Sequence, residues 1–189
     1  VRQTPPDGAV ILAITGDANF NGGDYYDAEP GHGPSHGLSL ARQIAHITYR
    51  CTGELAERFG RIQQPAEEPP EGGRYAVQSY LDHHGWKLAR RFDANSYATI
   101  SRTMMTHDVG RNRGGVSTAL EQMTARVLVL GVNSDRLFLP YELARITTNA
   151  PRAEQLQWIK SYHGHDGFLI ENDQVSRVLG RFLATPEHA

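Results

Sequence analysis

The sequence predicts an α/β segment preceded by a mostly helical one, and three observations carry that reading. Val127-Leu128-Val129-Leu130-Gly131 and Leu156-Gln157-Trp158-Ile159-Lys160 are short apolar runs of the kind that form buried strands. Tyr141 to Thr147, between them, has helical periodicity, so strand and helix alternate as in parallel β-α units. Each strand run leads into a polar segment, Asn133-Ser134-Asp135-Arg136-Leu137 after the first and Gly164-His165-Asp166-Gly167-Phe168 after the second. These lie beyond the carboxyl ends of the strands, where open α/β sheets place their functional groups.

Ahead of these units the chain reads as helices joined by loops. Ala9 to Thr15 is apolar and β-branched; propensity favours a strand, and a short buried helix leaves the same trace. Gly16 to Pro34 is rich in Gly, Asp and Asn and reads as a loop. Leu38, Ala41, Ile44, Ala45 and Thr48 fall at three- and four-residue steps, with Ser35 as a nearby cap, so a helix is expected from Leu38 to Arg50. Glu54 to Phe59 continues helical, and Gln64 to Gly73, broken by Pro65, Pro69 and Pro70, reads as an exposed loop. Tyr75 to Phe92 is expected to be a helix interrupted around Gly85, and Asn95 to Thr106 another. After a loop from His107 to Gly115, Val116 to Met123 is a short helix and Asp173 to Leu183 the last one.

Two α/β units make only a strip of sheet. Parallel sheets are buried on both faces, and so narrow a strip leaves apolar edges open. Its other strands are therefore expected from a preceding part of the protein or from another chain. The opening Val1-Arg2-Gln3-Thr4-Pro5-Pro6-Asp7-Gly8 has neither an initiator Met nor the apolar core of a signal peptide, and reads as starting inside a longer protein.

Composition narrows the class. The 189 residues are 39% hydrophobic and 21% charged with a formal net charge of -2, a globular balance without the basic face that nucleic acid requires. No apolar run approaches the ~20 residues that span a bilayer, so no membrane partner is expected. The single Cys51 excludes an internal disulfide framework and fits a reducing compartment, where it reads as a partly buried structural thiol.

Asp135 and His165 are the candidate catalytic pair. A carboxylate and an imidazole at the ends of consecutive strands are the second and third members of a nucleophile-acid-histidine triad, the acid orienting the ring and the ring acting as base and then acid. An isolated Asp at such a place reads as a turn or cap residue; pairing with His165 one unit later favours the catalytic reading. The first member has no candidate, because Gly-x-Ser-x-Gly does not occur and Ser117 falls inside an expected helix. His163-x-His165 could also be read as a metal pair, but no Cys or third His stands at ligand spacing nearby, so no metal is expected. Arg42 and Tyr49 lie seven residues apart on one helix face; spacing alone makes them a solvated Arg and an amphipathic aromatic. Arg111-x-Arg113-Gly114-Gly115 is a weak anion-site signal, and the histidines at 32, 36, 83 and 84 read as surface residues.

Taken in order, several segments resemble the homoserine O-acetyltransferase family of the α/β-hydrolase superfamily. They are Asn19-Phe20-Asn21-Gly22-Gly23-Asp24-Tyr25-Tyr26, Leu38-Ser39-Leu40-Ala41-Arg42, Ala45-His46-Ile47-Thr48-Tyr49-Arg50, Phe59-Gly60-Arg61 and Tyr75-Ala76-Val77-Gln78-Ser79-Tyr80-Leu81. Arg91-Phe92-Asp93-Ala94-Asn95-Ser96-Tyr97, His107-Asp108-Val109-Gly110-Arg111, Ser134-Asp135-Arg136-Leu137 and Gly164-His165-Asp166-Gly167-Phe168-Leu169 continue the match to the C-terminus. The resemblance implies the C-terminal portion of an α/β-hydrolase fold with a helical lid insertion: residues 1–16 as a core segment leading into the lid, 17–112 as the lid and 113–189 as the core segment with the acid and histidine. It also favours helix for Ala9 to Thr15.

For function, the resemblance implies acetyl transfer from acetyl-CoA to the hydroxyl of L-homoserine through an acyl-serine, a step of methionine biosynthesis. Asp135 and His165 match the triad acid and base, Arg42 and Tyr49 match residues facing the homoserine tunnel, and Asp166 matches the acid near the substrate amine. Acetyl-CoA serves as co-substrate with no separate cofactor, the location implied is cytoplasmic, and the partner is a second copy or an N-terminal half bearing the serine. A related O-acyltransferase acting on serine or a deacetylated antibiotic, or taking succinyl-CoA as donor, is the neighbouring alternative; a noncatalytic fragment or interaction partner is the alternative of another class.

Overall fold

The computed structural model describes residues 6–65 and 72–185. Readings that fall on residues 1–5, 66–71 and 186–189 lie outside them. Two compact units divide the chain. Among the described residues one unit holds 6–48 and Leu55–His107; the other holds Tyr49–Glu54 and 108–185. The division departs from the boundaries drawn on the sequence at three places: 6–16 group with the helical residues, and Tyr49–Glu54 and 108–112 group with the C-terminal α/β residues.

The helical unit contains α1 (Pro6–Thr15), most of α2 (Ser35–Tyr49) and of α3 (Thr52–Arg58), α4 (Ala76–Ala89) and α5 (Ala94–Thr106). Ala9 to Thr15, strand-like by propensity, is helical, as the family resemblance favours. Val10 and Ile14, four residues apart, share a face and are buried in one cluster with Phe20, Leu38, Ala41, Leu88, Ala94 and Ala98. α1 packs on α5, where the small Ala94 and Ala98 let the helices approach closely. Burying a side chain such as Ile14 or Leu38 is worth roughly 1.5–3 kcal/mol, more than the helix-propensity cost of β-branching. Polar contacts tie down the long loop before α2: Asp17 accepts the Gly37 N–H at 2.6 Å, and the Tyr25 hydroxyl donates to Asp93, the N-cap of α5. Burial and that donation both push the Tyr25 phenol well above its ordinary value.

The expected interruption at Gly85 is absent, since α4 runs unbroken from Ala76 to Ala89. Gly85 is there for space. A Cβ at this position would stand 2.8 Å from the Ser39 carbonyl oxygen of α2. His84, read as a surface residue, is half-buried and stacks on the buried His46 ring at 4.2 Å.

The α/β unit runs α6 (Val116–Glu121), β1 (Leu130–Val132), α7 (Pro140–Asn149), β2 (Gln157–Ile159), a 3-10 turn (Gly164–Asp166), α8 (Gly167–Ile170) and α9 (Asn172–Ala184). β1 and β2 pair in parallel, with Leu130 opposite Gln157, Gly131 opposite Trp158 and Val132 opposite Ile159. The strands are shorter than the apolar runs that announced them. Val127 forms an isolated bridge with Ala153, and Val127 and Val129 still bond to Arg152, Glu154 and Gln157, so pairing continues irregularly below β1. Lys160 leaves the strand because the Gln174 side chain of α9 takes both its backbone groups, at 3.0 and 2.7 Å. This closes one end of an edge that would otherwise offer free hydrogen-bonding groups. Trp158, Phe168, Leu169 and Ile170 of this unit stay exposed.

Gly85→Ala is expected to destabilise the helical unit, because about 1–3 kcal/mol of overpacking outweighs a helix-propensity gain of ~1 kcal/mol. Gly180→Ala in α9, where a Cβ meets nothing within 4 Å, should be neutral or stabilising. Urea unfolding checks both: Trp86 fluorescence in a Trp158→Phe background reports the first, and Trp158 in a Trp86→Phe background the second.

Candidate active site

The site starts from the parallel pairing. Beyond Val132 and Ile159 the two chains remain joined, but side chains replace the ladder. The Asn133 N–H donates to the Ile159 carbonyl at 3.1 Å, its side-chain oxygen accepts the Ser161 N–H at 2.8 Å, and the Ser134 hydroxyl accepts the Gly164 N–H at 3.0 Å. The loops carrying Asp135 and His165 are thereby fixed in register.

Asp135 divides its two oxygens between two tasks. Oδ1 accepts the backbone N–H groups of Leu137 at 2.7 Å and Phe138 at 3.3 Å, the self-capping of a turn aspartate. Oδ2 lies 2.9 Å from His165 Nδ1. One oxygen thus serves the turn and the other meets the imidazole. The side chain is 5% exposed. Burial pushes its carboxyl up, but the His165 hydrogen bond, the Leu137 and Phe138 N–H groups and the attraction of the His165 ring together hold it below the usual carboxylate range. An ionised Asp135 only accepts, so Nδ1 carries the proton and Nε2 is the nitrogen left for a reacting group.

His165 stands in the 3-10 turn, directly after Gly164 in the left-handed region at φ +65°. Glycine is needed here for room as well: a Cβ would sit 2.7 Å from the Cys51 backbone nitrogen. Three aromatic rings cage the imidazole, Phe138 at 5.1 Å, Phe168 at 5.5 Å and Tyr49 at 5.7 Å between centroids. Asp135 and His165 edge an apolar cavity of about 310 Å³ against Val132, Ile159 and both Phe rings.

Of the five site residues expected from the sequence, Asp135, His165, Tyr49 and Asp166 lie in the α/β unit, and Asp166 takes an ion pair from Arg50 at 3.2 Å. Arg42, half-buried on α2, belongs to the helical unit. Ser117 lies within α6 and its hydroxyl accepts from Arg145 at 3.3 Å, an arrangement unlike a nucleophile on a strained turn. Cys51 is half-buried and its thiol donates to the Tyr162 carbonyl at 2.9 Å. Among the described residues no three His, Cys, Asp or Glu side chains gather to hold a metal, and no helix is long and apolar enough to cross a membrane. Sequence reading passed over Asn133, Ser134, Phe138, Arg50 and Glu54. The first two had a signal, polar side chains at a strand end; the others meet partners distant in the chain.

No family model matches the chain. Among curated proteins it is 53% identical, over 92% of its length, to a homoserine O-acetyltransferase of Thermobifida fusca, and 48% identical over 92% to one of Mycobacterium leprae. The chain is a partial homologue of the homoserine O-acetyltransferases. It spans about half the length of these relatives, 46% and 45%. Solved structures agree on the fold. A homoserine O-acetyltransferase from Bacillus anthracis superposes with TM-score 0.83 at 18% identity, over 100% of this chain and 52% of that one. Esterase E22 superposes with TM-score 0.78 at 18% identity, over 94% and 49%. An α/β-hydrolase, MGS-M2, from a Medee basin deep-sea metagenome library gives 0.53 at 16%, over 100% and 55%. The fold is part of an α/β-hydrolase.

The lowered Asp135 carboxyl has a consequence for stability. Its contribution is complete above the unfolded value of about pH 4 and drains away as the pH falls through the lower folded value. Asp135→Asn is expected to cost about 1–3 kcal/mol at neutral pH and to lose less than the wild type as acid is added, so that the two converge at low pH. Urea midpoints against pH, read at Trp158, check this; parallel curves would contradict it.

Proposed function

We propose that this chain supplies the histidine, its orienting acid and acceptor-binding groups of an enzyme that moves an acetyl group from acetyl-CoA to the hydroxyl of L-homoserine. The observation that carries the reading is the 2.9 Å contact between His165 Nδ1 and Asp135 Oδ2, in a chain about 50% identical to homoserine O-acetyltransferases. The nucleophile is a serine on a segment that this sequence does not include. His165 Nε2 takes the serine proton as the oxygen attacks the thioester, and returns it to the departing CoA thiolate. It next takes the proton of the acceptor hydroxyl, which attacks the acetyl-serine; the product ester leaves and the serine is reprotonated. Asp135 stays ionised throughout and stabilises the imidazolium formed at each stage.

Tyr49, beside His165, lines the acceptor site and Asp166 receives the acceptor's ammonium; for Arg42 of the helical unit the family resemblance is the support for a role in acceptor binding, and a guanidinium fork suits a carboxylate. Acetyl-CoA is a co-substrate and no further cofactor is required. The enzyme works in a cytoplasmic setting within methionine biosynthesis. The chain associates with the serine-bearing segment, and the assembled enzyme pairs as a dimer. Support for association comes from the two-stranded sheet and the exposed Trp158, Phe168, Leu169 and Ile170, apolar surface that an isolated domain leaves unburied at a cost.

The chain alone is expected to release no CoA from acetyl-CoA in the presence of homoserine, because a base and its acid without nucleophile and oxyanion donors lack the largest contributions to rate. Co-expression with the serine-bearing half of a relative should restore transfer, and Asp135→Asn should then lower kcat by about 10²-fold or more. Transfer by the pure chain, or a reconstituted enzyme indifferent to Asp135→Asn, would overturn the reading.

A further inference from the structure

The segment Tyr49–Glu54 meets the histidine loop almost residue by residue, inside the α/β unit. The Tyr49 ring faces His165, Cys51 donates to the Tyr162 carbonyl, a Cβ on Gly53 would stand 3.2 Å from the Tyr162 ring, and Glu54 Oε1 lies 3.2 Å from His163 Nδ1. The strongest link is Arg50. One terminal nitrogen donates to Glu54 Oε1 at 2.9 Å and the other lies 3.2 Å from Asp166 Oδ2. The side chains are largely buried, 16% exposed for Arg50, 9% for Glu54 and 20% for Asp166.

A buried ion pair of this kind adds little stability by itself, because desolvation offsets the attraction. What it contributes is geometry. A planar guanidinium spans two carboxylates at a fixed separation, which a lysine ammonium on a flexible stem does not reproduce. One positive charge between two negative ones also leaves a net negative charge on the three groups. Arg50 occupies one oxygen of Asp166 through a single contact, so the carboxylate keeps acceptor capacity for a cation. Without Arg50, two carboxylates would face each other in a poorly solvated pocket and Asp166 would turn away from its neighbour.

We propose that Arg50 is a positioning residue: it fixes the carboxylate of Asp166, the residue after His165 in the same turn, in the orientation that receives the acceptor's ammonium group. This rests on the reading of Asp166 as the amine contact. A positioning role separates from a general structural one by which half-reaction it affects. Of the groups on this chain, acetyl-serine formation uses His165 and Asp135, whereas capture of the amino-alcohol acceptor also uses Asp166.

The test uses the enzyme reconstituted from this chain and a serine-bearing half. Arg50→Gln should raise the KM for homoserine about tenfold and leave the burst of CoA release from acetyl-CoA unchanged; Arg50→Lys should recover part of the loss. Asp166→Asn should raise the same KM, and Arg50→Gln should add almost nothing in that background. A loss confined to the CoA burst, or fully additive effects of the two substitutions, would overturn the proposal. If the wild type forms the acetyl-enzyme but does not transfer to homoserine, the acceptor reading falls. Arg50 is then decided on the chain alone by amide exchange at Gly164 to Gly167: faster exchange in Arg50→Gln than in Arg50→Lys and wild type supports its hold on the loop, and equal exchange in all three overturns it.

Discussion

Everything at the candidate site depends on one parallel pairing that ends early. β1 and β2 share three residue pairs, ending at Val132 and Ile159, and a ladder so short would ordinarily let the following loops diverge. They do not diverge, because Asn133 and Ser134 use their side chains to accept the N–H groups of Ser161 and Gly164. Two side-chain hydrogen bonds thus extend the register past the strands and set Asp135 against His165. Each is worth only about 1 kcal/mol net, yet together they decide whether an imidazole and a carboxylate thirty residues apart in sequence meet.

The same economy appears in Asp135 itself. Its turn-capping oxygen fixes the carboxylate, and the fixed carboxylate then fixes the ring. Around the pair the surroundings are apolar, with Phe138 and Phe168 on the imidazole and Ile159 fully buried beneath. Low polarity strengthens the hydrogen bond and makes a broken one expensive. The aromatic cage thereby favours a single arrangement of the ring, which is what proton transfer to and from a nucleophile requires.

Much of this was legible in the sequence, and what was not has identifiable causes. The alternation of strand and helix and the two polar segments revealed the fold class and the pair Asp135 and His165, since both signals are local. Ala9 to Thr15 was ambiguous because β-branched runs suit a strand or a buried helix; packing on Ala94 and Ala98, remote in sequence, selects the helix. Gly85 suggested a break, yet it is a contact glycine whose reason sits on another helix at Ser39. Arg50 was invisible because its partner Asp166 comes more than a hundred residues later, beyond any periodicity. Arg42 and Tyr49 share a helix face, as their spacing implies, but the boundary between the two units falls between them, which helical spacing does not reveal.

The central claim is that the acid and the histidine are already joined in this chain, before any serine is supplied. The direct measurement is nitrogen-15 and proton NMR of the His165 ring in the 189-residue protein at neutral pH. The account predicts a proton resident on Nδ1, shifted downfield of the amide region by the carboxylate, slow to exchange, and lost in Asp135→Ala. A His165 ring whose tautomers interconvert freely, with no protected Nδ1 proton and no response to Asp135→Ala, would contradict it.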